Sequence, residues 1–127
     1  MPTSASFDYA ILRVVPRVER QEFLNAGVIV LCLEKQYLAA RIHLDCDRLK
    51  ALWPDMDVDL VEKHLDAVNR ICKGDPAAGP IALLSQRERF HWLVSPRSTI
   101  IQPSPVHTGV CNATNELLDR LEAQFLS

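Results

Sequence analysis

Gly27-Val28-Ile29-Val30-Leu31-Cys32-Leu33, followed by Glu34-Lys35-Gln36 and then Tyr37-Leu38-Ala39-Ala40-Arg41-Ile42-His43-Leu44, is the stretch that decides the fold. The first run is apolar at every position, the pattern of a central strand covered on both faces. Three polar residues then predict a short hairpin into an antiparallel second strand. In that second arm Leu38, Ala40, Ile42 and Leu44 share one face, and Arg41 and His43 share the other, because side chains alternate along a strand.

Upstream, Phe7-Asp8-Tyr9-Ala10-Ile11-Leu12-Arg13-Val14-Val15 reads as a strand closed by Pro16. The charged segment Arg17–Ala26 predicts a short helix or an ordered loop. Downstream, Asp47–Trp53 reads as a brief helix stopped before Pro54. A stronger helix is expected from Asp59, whose spacing to Glu62 fits a capping box, with Val61, Leu65, Val68 and Cys72 on its packed face. Gly74–Pro80 is a turn-rich connector. Ser85 and Glu88 repeat the capping-box spacing ahead of a helix limited by Pro96. Ser98–Gln102 is a candidate for a further short strand, while Pro103 and Pro105 are expected to confine the residues after it to an edge, bend or extended loop. The chain closes on a helix over Glu116–Phe125 with Leu117, Leu118, Leu121 and Phe125 on one face. The order predicts an α+β fold, a mostly antiparallel sheet covered by helices in a single domain over 1-127.

Composition narrows the class. A chain of 127 residues, 48% apolar and 24% charged, can bury its own core without metal or disulfide. Its net charge of -2 argues against broad capture of nucleic acid. The N-terminus lacks the pattern of a signal peptide and no stretch reaches membrane-spanning length, so a cytoplasmic location is expected. Cys32, Cys46, Cys72 and Cys111 have no finger-like spacing and read as free thiols; no metal and no cofactor is expected.

One segment stands apart, Pro96-Arg97-Ser98-Thr99-Ile100-Ile101-Gln102-Pro103-Ser104-Pro105-Val106-His107-Thr108-Gly109, since no Asp or Glu occurs between Glu88 and Glu116. It is expected to form a locally positive surface for an anion or acidic partner. Arg97 offers a planar fork, followed by the hydroxyls of Ser98 and Thr99; Gln102, His107 and Thr108 add polar groups. The alternative is that Arg97 pairs with an acid and the hydroxyls satisfy turn amides. Arg13, Arg17 and Asn25 form a second candidate patch if the turn after the first strand approaches this segment. Trp53 and Trp92 are either interface anchors or core residues.

Arg13–Val28 and Ser95–Gly109, with the connector Gly74–Pro80 between them, resemble the two motif regions of a bacterial family called domain of unknown function 3037. The resemblance covers nearly the whole chain. It implies an accessory role, because some family members resemble small companions of proteins with a HipA-like kinase fold. A non-enzymatic domain binding a protein partner, with a kinase-like protein the first candidate, is therefore the expectation. A small hydrolase or phosphotransfer enzyme, with Arg97 on an anionic substrate and His107 moving a proton, is the alternative. Single-stranded nucleic-acid binding through Arg89, Phe90, Trp92 and Arg97 is a third.

Overall fold

In the computed structural model, residues 5–95 and 99–126 are described. Strand β1 (Ala5–Val14) is central: β2 (Leu24–Cys32) runs antiparallel on one side and pairs in turn with β3 (Tyr37–Ile42). The other side of β1 is shared by two short strands, β4 (Ile101–Pro103) against its end and β5 (His107–Cys111) against its beginning. The sheet order is β3-β2-β1-β4, with β5 also on β1. Helices α1 (Cys46–Leu52), α2 (Val58–Cys72) and α3 (Gln86–Leu93) cover one face. Helix α4 (Leu117–Phe125) covers the other.

The expected α+β class, antiparallel sheet and hairpin are present. Val28, Ile29 and Val30 are fully buried, as an apolar strand between two helical layers requires. Arg41 faces α4, where its guanidinium donates to Asp119 and Glu122 at 2.8 Å each, and these partners raise its pKa further.

Several boundaries differ from the sequence expectation. The second strand begins at Leu24, inside the charged segment, because Ala26 is an extra residue opposite Leu12 and re-aims the chain as a bulge. The segment ahead of it makes only one 3₁₀ turn, Val18–Arg20. Helix α2 is capped by Asp57, whose carboxylate accepts from the Leu60 amide at 3.2 Å, and not by Asp59. The Ser85–Glu88 capping box is present. His107–Cys111 is a strand, although Pro105 and Gly109 argue locally for irregular chain.

Ser104 explains how β4 passes into β5. Pro103 and Pro105 lack amide hydrogens, so the ladder to β1 would break here. Ser104 repairs it: its amide donates to the Ile11 carbonyl at 2.7 Å and its hydroxyl accepts from the Ile11 amide at 2.8 Å.

Candidate functional site

The two motif regions meet at the end of β1, where the Val15 amide donates to the Ile100 carbonyl at 2.7 Å. Beside this contact the turn over residues 16–22 and the α1–α2 loop enclose a groove of about 500 Å³. The loop is fixed by the Trp53 amide donating to the Leu49 carbonyl at 2.9 Å and the Met56 amide donating to the Trp53 carbonyl at 3.0 Å. Leu52, Trp53, Pro54, Met56 and Ile100 supply apolar wall. Leu52 is exposed and Trp53 half-buried, so Trp53 packs on the core and presents surface to the groove.

The groove mixes both signs of charge, with Arg17 and Arg20 against Glu22, Asp55 and Asp57. Arg20 pairs with Glu22, and Asp57 is engaged in capping α2. Arg17 and Asp55 line the same groove and make no ion pair among the described residues. The stretch free of acids in the sequence is thus not free of them in space: Asp55, Asp57 and Glu22 share a groove with Ile100, and Asp8 accepts from the Thr108 hydroxyl at 2.9 Å. A purely positive surface does not form.

The sequence candidates divide into separate places. Arg97 and Ser98 lie outside the described residues. The Thr99 hydroxyl donates to the Ile101 carbonyl at 2.8 Å, and the Gln102 amide donates to the Thr99 carbonyl at 3.0 Å. Asn25, Arg13 and Gln102 are cross-strand partners and form one row over β2, β1 and β4 on the α4 side. The Arg13 guanidinium sits 4.1 Å from the centre of the Phe23 ring. Arg13 Nε and Asn25 Oδ1 are buried without a hydrogen-bond partner. Among the described members of this set, Arg17 alone lines the groove.

His107 lies elsewhere. It pairs with Tyr9, whose ring centre is 5.4 Å away, whereas Ile101 pairs with Val14. Five positions of strand rise separate the two places, about 17 Å. Among the described residues, no His, Ser, Thr, Cys or Lys lines the groove. Ser104 is buried and occupied with Ile11. Of the groups suited to nucleic acid, Phe90 is buried, and Arg89 donates to the Ile71 and Cys72 carbonyls at 2.9 and 2.8 Å, closing the end of α2. Among the described residues no three metal-ligating side chains cluster, and no helix is long and apolar enough to cross a membrane.

Leu52, Asp55 and Met56 line the groove without being marked as site residues by the sequence. The tripeptide Trp53-Pro54-Asp55, between two helices, is the one local signal that points to them.

The chain is thus a small α+β domain whose main groove is mixed in character and holds no reactive constellation among the described residues. The family model described as Protein of unknown function (DUF3037) matches residues 9–126, and the chain belongs to that family. No curated protein and no solved structure matches it.

Proposed function

We propose that this chain is a non-catalytic accessory domain that receives a segment of a partner protein in the groove between residues 16–22 and the α1–α2 loop. The observation that carries the reading is the groove's composition. Arg17 and Asp55, neither in an ion pair among the described residues, stand among Leu52, Trp53, Met56 and Ile100. A phosphate-rich ligand would meet Asp55 and Asp57 at close range and be repelled. A peptide with an apolar anchor and side chains of either charge matches both kinds of wall, and tryptophan with arginine is a common pairing at protein interfaces. The family resemblance makes a kinase-like partner the first to try.

The test is site-specific photocrosslinking in the native host. A photoreactive residue at Leu52 is expected to trap one discrete protein, and Arg17→Glu in the same chain is expected to abolish the adduct with the thermal midpoint unchanged. A photoreactive residue at Arg87, exposed on α3, serves as the control. The same adducts from both positions, or none, would overturn the proposal.

A further inference from the structure

Residues 98 to 115 contain no Asp, Glu, Lys or Arg. At the chain's average of 24% charged, a stretch of this length would carry about four charges. The fold lays the part of this stretch from Ile101 to Cys111 along one edge of the sheet. Strand β5 is bonded to β1 on one side, and among the described residues no strand lies against its other side. Sheet edges left open are usually guarded by charged side chains, prolines or bulges, because their free amides and carbonyls accept another strand. Pro103 and Pro105 guard β4 and the chain leaving it. His107–Cys111 contains no Asp, Glu, Lys, Arg or proline. Val106 and Val110, at and beside this edge, are 44% and 65% exposed. The opposite edge is different, with Arg41 within β3 and Lys35 just before it.

We propose that β5 is a dimerisation edge, pairing antiparallel with β5 of a second copy about a two-fold axis at Gly109. In this register Thr108 of each copy faces Val110 of the other, so two β-branched pairs form side by side. No like charges are brought together, because the strand has no Asp, Glu, Lys or Arg and the register sets His107 opposite Cys111 of the other copy. A foreign peptide fits less well, since edge recognition of peptides relies on pockets for alternate side chains. Here the Phe7 ring fills the space over Gly109 and His107 is packed on Tyr9. The contact is isologous and uses the same edge of both copies, so assembly stops at two chains. The groove lies beyond the other end of β1 and stays open, giving a dimer with two grooves that can engage a paired partner with added avidity.

Sedimentation equilibrium of the intact chain, from micromolar to hundreds of micromolar, is expected to show a concentration-dependent mass approaching twice 14.3 kDa. Val110→Lys is expected to weaken the dimer at least about tenfold in Kd, with an unchanged circular dichroism spectrum. Leu83→Lys, at an apolar side chain 69% exposed away from this edge, is expected to leave it intact. Hydrogen exchange over 107–111 should slow as concentration rises. A chain that stays monomeric throughout, or a dimer indifferent to Val110→Lys, overturns the proposal.

Discussion

At the scale of single residues, Ser104 and Gly109 show how a proline-flanked segment is made into sheet. Ser104 meets both backbone groups of Ile11, its amide donating to the carbonyl and its hydroxyl standing in for the backbone acceptor that the Ile11 amide would otherwise find. Replacing it with alanine leaves the buried Ile11 amide unpaired, and the cost of such an orphan is about 1–3 kcal/mol. Ser104→Ala should lower the urea midpoint accordingly, with the slope of the transition unchanged. Gly109 faces a different constraint. A Cβ there would stand 2.6 Å from the Phe7 ring, so the outer edge of the ring takes the space that a larger side chain would need. Gly109→Ala should cost about 1–3 kcal/mol through overpacking. Combining it with Phe7→Leu should recover part of that loss, and two penalties that simply add would refute the contact as the cause.

At the scale of elements, α2 offers two aspartates at its start and uses one. Asp57→Ala should destabilise the protein by about 1 kcal/mol, the usual value of a lost N-cap. Asp59→Ala removes only a favourable charge from the first turn and should cost less. Equal losses in thermal denaturation would contradict the assignment. The sequence favours Asp59 because its spacing to Glu62 imitates a capping box; only the hydrogen bond from the Leu60 amide distinguishes the two. The hairpin of β2 and β3 is readable because alternation and apolar runs are local properties. The start of β2 is not, since Asn25-Ala26-Gly27 reads as loop until Leu12 is placed opposite the bulge. Strand β5 escapes for the same reason. Pro105 ahead of it and Gly109 within it signal irregular chain, and the Phe7 ring that compensates for Gly109 is about a hundred residues away in sequence.

At the scale of the whole molecule, the site is half legible in the sequence. Arg17 can be singled out as an arginine in a turn, but the groove it lines is built from the α1–α2 loop, which nothing local to residues 13–28 announces. The two faces of the sheet also differ in how they are held. Three helices cover one, while among the described residues α4 is the one helix on the other, anchored by Leu117, Leu118 and Leu121 and by the ion pairs from Arg41. Opening of that single helix should therefore precede global unfolding. The buried thiols report on each face: Cys32 and Cys111 lie under α4, and Cys72, the last residue of α2, is buried in the cluster between the sheet and α3. Burial also pushes the Cys72 thiol up to about 12, against the opposing pull of Arg89, so in the folded protein it is protonated throughout the neutral range. Arg41→Ala removes partly exposed ion pairs worth about 0.5–1 kcal/mol. That should raise the labelling rates of Cys32 and Cys111 roughly two- to fivefold under native conditions, because labelling tracks the population of the open form when reclosing is fast. Cys72 should be unaffected. If all three thiols accelerate together in a mass-resolved labelling time course, the molecule opens only as a unit and α4 is not a separate cooperative layer.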